Sequence, residues 1–407
     1  MASALSTFND FVETTGPAYL TSAESVVNEA GKNNYLLRRF IRGKSTEELI
    51  QGGSTIKDTI MFDEDSTFQY YQPNETFTWQ NPQVLTSWEI NWRFSVDHMS
   101  YTDQEIELSI SSGMTKAARH HMYKKLKRTK EQRMWTSVFN GMENALFAVP
   151  EVADQETNTG LKPYSIPAFL NENTNGLFYS GAAPTGKTAW TTVEGLNPTT
   201  YSKWVPQQGT YGSVDPTDTG ATAATTNLFM AMDKMFLDVQ FVPPPTAQEY
   251  FENPTLNAMF VACSKAGQRV YQNMLRVAQD TFVSTSRQDP SYMSPKISGM
   301  DLVYTPALDT AALYQATTST NPYVAEIDGG GGGATVAEDT GPRFYFINAN
   351  YIKPVFHTSR YMYKHSPMRH PNQPFTTIVP VDTWCNLVCR SRQRQGILSP
   401  SGDVVTS

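Results

Sequence analysis

Positions 84–96 read Val-Leu-Thr-Ser-Trp-Glu-Ile-Asn-Trp-Arg-Phe-Ser-Val. Trp88, Ile90, Trp92, Phe94 and Val96 share one parity, while Glu89, Asn91, Arg93, Ser95 and Asp97 take the other. That period of two is the signature of a strand with one apolar face. At strand rise the stretch spans about 43 Å. Its expected partner is 60–71, with Pro73, Asn74, Asn81 and Pro82 marking turns between the two. An isolated hairpin of this length is marginal in water, so the aromatic stripe requires a cover.

Downstream the texture changes. Positions 104–147 hold no proline and only two glycines, Gly113 and Gly141, so one helix of about 66 Å is expected. Met122, Leu126, Trp135, Val138, Phe139, Met142 and Leu146 mark its apolar side. From Lys116 to Arg133 eight Lys or Arg residues face one acid, Glu131. Two readings stay open for that run: a solvated helix face, or a patch turned toward nucleic acid. His120 and His121 within it lack the i, i+4 spacing of a helical metal site and read as ordinary polar residues.

Upstream, Val26, Val27, Ala30, Leu36, Leu37, Phe40 and Ile41 are apolar points of two short helices separated by a break at 31–34. Such pieces have little core of their own and are expected to lie as an arm against something else. Positions 160–226 are rich in Gly, Thr, Pro and Asn and read as short strands and loops. Helical spacing returns at 226–237 and again at 257–279, where Cys263, Val270, Met274 and Val277 carry it. Five consecutive glycines at 329–333 read as a loop tip. Strand texture closes the chain at 344–347, 351–355, 375–381 and 386–388, punctuated by Pro367, Pro371 and Pro374.

A chain of 407 residues exceeds the size of one compact core, so two or more lobes are expected. Charged residues make up 17 %, against roughly 25 % in ordinary soluble chains, while aromatics reach 12 %. Aromatic enrichment with charge depletion is the composition of buried interface cores and suits a surface covered by neighbours. A net charge of −7 argues against a dedicated nucleic-acid binder. Positions 1–20 carry no Lys or Arg and no long apolar run, so no secretory leader is expected, and no stretch of the sequence approaches the roughly 18 consecutive apolar residues of a membrane span. Cys385 and Cys389, four apart on a strand, stand about 13 Å apart, too far for a disulfide between them. With Cys263 they read as buried free thiols.

One motif argues for an enzyme. Gly181-Ala-Ala-Pro-Thr-Gly186-Lys187-Thr188 satisfies G-x-x-x-x-G-K-[ST], the loop whose backbone N–H groups wrap a phosphate while the lysine reaches its terminal oxygens. Met235-Phe-Leu-Asp238 would supply the accompanying acid. A helix must follow such a loop, yet Ala189-Trp-Thr-Thr-Val-Glu194 is half β-branched and runs into Gly195 and Pro198. The context therefore opposes nucleotide binding. The six histidines form no H-E-x-x-H, and His357, His365 and His370 are expected to serve hydrogen bonding rather than a metal. No cofactor, metal or catalytic residue is assigned.

The order arm, long hairpin, long helix, mixed lobe and strand return resembles the major capsid proteins of tailed bacteriophages with the Hong Kong 97-type fold. Two stretches carry the resemblance in residues. Val193-Glu-Gly-Leu-Asn-Pro-Thr-Thr-Tyr-Ser-Lys-Trp204 looks like that family's glycine, small turn, Tyr and Trp, and Asp382-Thr-Trp-Cys-Asn-Leu-Val-Cys-Arg-Ser-Arg-Gln-Arg-Gln-Gly396 is similar to its last apolar strand and basic ending. The resemblance implies an α+β fold: N-terminal arm 1–45, extended loop (E-loop) 46–103, peripheral (P) domain with spine helix 104–165, axial (A) domain 166–340, and strands 341–407 returning to both domains. It implies a non-enzymatic subunit that self-assembles as hexamers and pentamers of an icosahedral shell enclosing double-stranded DNA. The implied location is the virion capsid, assembled in host cytoplasm. Scaffolding, portal and cement proteins are partners of such shells; a membrane is not. In that reading Trp79, Trp88, Trp92 and Phe94 anchor the loop on a neighbouring subunit, and Lys124, Lys125, Lys127, Arg128 and Lys130 face packaged DNA through phosphate contacts alone. The alternatives are a phosphate-loop nucleotidase and an encapsulin-like cage.

Overall fold

The protein is described from a computed structural model over residues 36–37, 40, 48–62, 68, 70–76, 85–108, 116–148, 150–155, 160–172, 174–178, 188–214, 226–240, 259–281, 296–297, 299–309 and 342–405. In chain order its elements begin with β1 (Glu48–Ile50), β2 (Thr55–Met61), β3 (Leu85–Asn91), β4 (Arg93–Thr102), α1 (Asp103–Leu108), α2 (Lys116–Leu146), α3 (Val152–Gln155), α4 (Ile166–Phe169), β5 (Gln207–Ser213) and α5 (Leu228–Val239). They continue with β6 (Met259–Cys263), α6 (Lys265–Thr281), β7 (Lys296–Ile297), β8 (Met300–Tyr304), β9 (Phe344–Asn348), β10 (Ile352–His357), β11 (Tyr363–Lys364), β12 (Met368–His370), β13 (Gln373–Cys389) and β14 (Gly396–Val405). Helices and mixed sheets together make an α+β fold. The chain divides into two compact units. The described part of the smaller comprises 94–108, 116–142 and 359–384; the larger takes in the described residues within 33–93, 143–358 and 385–407.

The smaller unit is strand on helix. Met99 and Tyr101 of β4 and Val379 and Val381 of β13 bury one sheet face against Met134 of α2, with Ile106, Tyr123 and Trp135 packed around them. Ion pairs rim this core, Lys130 to Glu105 at 2.9 Å, Arg369 to Asp103 at 2.7 Å, and Lys364 to Glu131.

The larger unit is built on a six-stranded sheet in the order β5-β14-β9-β6-β8-β7. β6 and β9 are buried at every position, Met-Phe-Val-Ala-Cys and Phe-Tyr-Phe-Ile-Asn, as central strands covered on both faces must be. On one face Val261, Phe344 and Phe346 pack with Leu228, Met232 and Met235 of α5 and with Tyr271 and Met274 of α6. α5 starts where Asn227 accepts the Phe229 N–H at 2.8 Å, and its buried positions recur at helical spacing. On the other face Phe40 meets Phe260 edge-on at 5.9 Å, and Phe147 meets Tyr345 at 5.5 Å.

Several expectations change. The one long helix becomes α1 and the 31-residue α2, with 109–115 outside the described residues; α2 spans about 46 Å at helical rise. The helical reading of 257–279 is half right: Met259–Cys263 is β6, because a five-residue apolar run fits a buried strand as well as a helix. The closing strand signals at 375–381 and 386–388 merge into the single 17-residue β13. Of the arm, Leu36, Leu37 and Phe40 are buried in their own chain. The glycine run at 329–333 lies outside the described residues.

Candidate functional site

The hairpin forms with a shifted register. β2 pairs antiparallel with β3 from Thr55 opposite Asn91 to Met61 opposite Leu85, so the partner strand is 55–61 rather than 60–71. Among the described residues the ribbon pairs with neither six-stranded sheet. Residues 72–75 close a turn: Asn74 has φ +74° after Pro73, and the Glu75 N–H donates to the Gln72 carbonyl at 3.1 Å. Pro followed by a positive-φ Asn is the residue pair a type II turn requires. Around this turn Phe68, Tyr70 and Tyr71 are 76, 91 and 66 % exposed, with the first two edge-on at 5.1 Å. The last pair of the ribbon, Met61 and Leu85, is also exposed.

The expected aromatic anchors separate. Trp88 is 2 % and Trp92 5 % exposed, covered by their own chain, so neither is an open contact for a neighbour. The Trp92 Nε1–H donates to the Gly53 carbonyl at 3.0 Å, and its ring meets His357 edge-on at 5.4 Å. Phe94 is 64 % exposed and Val96 also open, Phe94 lying edge-on to Trp384 at 4.8 Å. The cause is a break in the run at Trp92, which belongs to neither strand. β3 buries even positions; β4 buries Arg93, Met99 and Tyr101, which are odd. Arg93 turns inward and donates to the Gly160 carbonyl at 2.7 Å. A one-residue interruption moves every side chain beyond it to the opposite face. Trp79 lies outside the described residues.

On α2 the basic run also divides. Leu126 and Met134 are buried, and Lys130, midway on the same helical line, is half-buried and held by Glu105. Lys124 and Arg128 project from the opposite side and are exposed; Lys127 is intermediate, and the Lys125 side chain is outside the described residues.

The two short stretches that carry the family resemblance meet in one buried knot that spacing alone does not reveal. Val193 and Leu196 exchange backbone hydrogen bonds at 2.9 and 3.1 Å around Glu194 and Gly195, whose φ values are +55° and +77°. This is a two-residue turn of type I′, where Gly195 accepts positive φ without cost and Glu194 accepts it under strain. Glu194 is fully buried, and its Oε1 takes the Cys389 N–H at 2.9 Å. Burial pushes its carboxyl well above the ordinary range, against the pull of that N–H and of Arg392. Trp204 Nε1–H donates to the Val193 carbonyl at 3.1 Å. Arg392, fully buried, donates to the carbonyls of Phe169 at 2.8 Å, Gly176 at 2.7 Å and Trp204 at 2.9 Å. Its rigid fork joins three segments that are distant in sequence.

The phosphate-loop reading fails on its flanks. Positions 181–187 lie outside the described residues, but 188–192 carry no helix, and Met235 to Asp238 belong to α5 rather than to a strand. Each of the three late histidines has a partner of its own: His357 meets Trp92, His365 Nε2 lies 3.1 Å from Asp382, and His370 Nδ1 accepts the Asn372 N–H at 3.1 Å. Among the described residues no group of three or more His, Cys, Asp or Glu is placed to hold a metal, and no helix is long and apolar enough to cross a membrane. Cys385 and Cys389 are free thiols; burial pushes Cys385 up to about 12 and Cys389 up as well.

No family model matches this chain, and no curated protein matches it. Among solved structures it is similar to a capsid protein of cyanophage A-1(L), 12 % identical with TM-score 0.49, covering 95 % of this chain and 96 % of that one. It is also similar to the capsid protein of a native GTA particle, 8 % identical with TM-score 0.48, covering 99 % and 100 %. A protein of Mycobacterium phage Bobi is similar at 7 % identity and TM-score 0.46, covering 97 % of this chain and 98 % of that one.

Proposed function

We propose that this chain is the major capsid protein of a tailed bacteriophage, a shell-building subunit of the Hong Kong 97-type fold with no catalytic site. The observation that carries the reading is the β2–β3 ribbon, two strands that among the described residues pair only with each other, together with the exposed Phe68, Tyr70 and Tyr71 beside the turn at 72–75 that lies between them in sequence. One face of the ribbon is covered by its own chain at Ile56, Trp88 and Ile90, whereas the exposed apolar cluster of Phe68, Tyr70 and Tyr71 has the character of a contact surface. In this reading the ribbon is the extended loop within 46–103, α2 is the spine of a peripheral domain over 104–165, 166–340 is the axial domain, and 341–407 returns to both. Copies of the chain complete one another by repeated heterologous contacts that close into hexamers, pentamers and a shell. Its location is the virion capsid, built in the host cytoplasm, with scaffolding, portal and cement proteins as helpers.

The test is assembly. Purified chain should give shells by negative-stain electron microscopy, and Phe68→Ser, Tyr70→Ser, Tyr71→Ser in combination should leave folded subunits that do not assemble. Normal shells from that variant would reject the ribbon as a contact. Of the basic run, Lys124 and Arg128 are the residues whose exposure suits packaged double-stranded DNA. Replacing both with Gln should lower the slope of log affinity against log salt by about 2, uniformly across DNA sequences, whereas Lys130→Gln should leave it unchanged.

A further inference from the structure

A cleft of about 270 Å³ opens in the larger unit beside the end of β2, the segment entering β5, the end of α5 and the turn between β13 and β14. At roughly 30 Å³ per water it holds on the order of nine waters, enough for a small oxyanion and its hydration. Its lining is strongly cationic, Lys203, Arg390, Arg392 and Arg394, with Asp238 as its one carboxylate and Trp204 beside them.

The guanidinium groups are held in place. Arg392 is fixed by three backbone carbonyls, Arg394 lies over the Tyr351 ring at 4.2 Å, and Arg390 is bridged to Asp58 at 2.7 Å. Ordering these side chains before binding removes a large part of the entropy that capturing an anion would otherwise cost. Asp238 then decides which anion fits. An ionised carboxylate only accepts hydrogen bonds, so it repels an oxyanion with no proton and pairs with one that keeps a proton. Sulfate and the phosphodiesters of nucleic acid carry none near neutral pH; inorganic hydrogen phosphate does.

We propose that this cleft binds inorganic hydrogen phosphate, with Lys203, Arg390 and Arg394 taking its charged oxygens and Asp238 accepting a hydrogen bond from its O–H. The bound ion ties the Met61 end of β2 to the turn after β13, so it stabilises the subunit whether or not the subunit builds a shell.

Thermal unfolding of the full chain at pH 7 tests this, with inorganic phosphate, sulfate and chloride compared at matched ionic strength. Sulfate controls for the general stabilisation that excluded salts give. The expected result is a saturable rise in Tm with phosphate that exceeds the rise with sulfate. Lys203→Gln with Arg394→Gln should weaken the phosphate midpoint at least tenfold, and Asp238→Asn should bring phosphate and sulfate to within about twofold. Equal responses to sulfate and phosphate in the unaltered chain overturn the proposal, as does an unchanged phosphate midpoint in the double variant. Should the double variant not fold, exposed Lys203→Gln alone carries the same comparison, and no loss of phosphate affinity there is equally fatal.

Discussion

Trp88 and Phe94 stand six residues apart with the same parity in one alternating run, yet Trp88 is 2 % exposed and Phe94 64 %. The first faces the interior of its own chain; the second lies on the uncovered side of β4. The difference separates two uses of an aromatic side chain. Covered, it contributes to the stability of the subunit; uncovered, it adds little to folding and remains available to a partner. The same contrast runs through the hairpin, where Trp92 is fastened to Gly53 while Phe68 and Tyr70 stand in solvent.

The sharpest way to break that comparison is to truncate its covered member. Trp88→Ala should cost about 3–5 kcal/mol of subunit stability in denaturant unfolding, as loss of a fully buried large aromatic does. A cost below about 1 kcal/mol would mean the covered face is not packed as described.

Glu143 tests the covered side through pH. It is 3 % exposed at the end of α2 and accepts the Leu37 N–H at 2.7 Å, fastening the arm residues. Burial raises its pKa from 4.5 to about 7, although the Leu37 and Leu36 amides pull the other way. A carboxyl whose folded pKa is raised favours the folded state fully below about pH 4.5, and that contribution is lost as pH climbs through 7. Glu143→Gln, which carries no charge to bury, should therefore gain on the unaltered chain between pH 5 and 8, by up to about 3 kcal/mol. A difference independent of pH would remove the buried charge from the account.

The smallest effect belongs to the uncovered member. Phe94→Ala should change subunit stability by less than about 0.5 kcal/mol, the range of an exposed substitution, while lowering the yield of shells. If it destabilises the subunit as much as Trp88→Ala, the contrast between the two faces is gone.

Much of the fold was legible from local pattern. α5 announces itself through helical spacing, and β9 through an unbroken apolar run. The candidate site was less legible. The alternation at 84–96 marks two faces but carries no sign of the break at Trp92, which reverses which face is covered downstream. Lys130 looks like any other cation in its run, and only its place on the line from Leu126 to Met134 makes it the partner of Glu105. Arg392 reads as part of a basic tail; nothing local marks it as a buried guanidinium holding Phe169, Gly176 and Trp204.

By itself the sequence determined the periods: where the chain alternates, where it coils, and where Gly, Pro and Asn allow it to turn, as at 72–75. These follow from backbone sterics and side-chain spacing within a few residues. Only the tertiary structure decided which of two equivalent faces is covered and which cations are buried. Those outcomes depend on contacts between residues tens to hundreds of positions apart, and a short window of sequence carries no record of them.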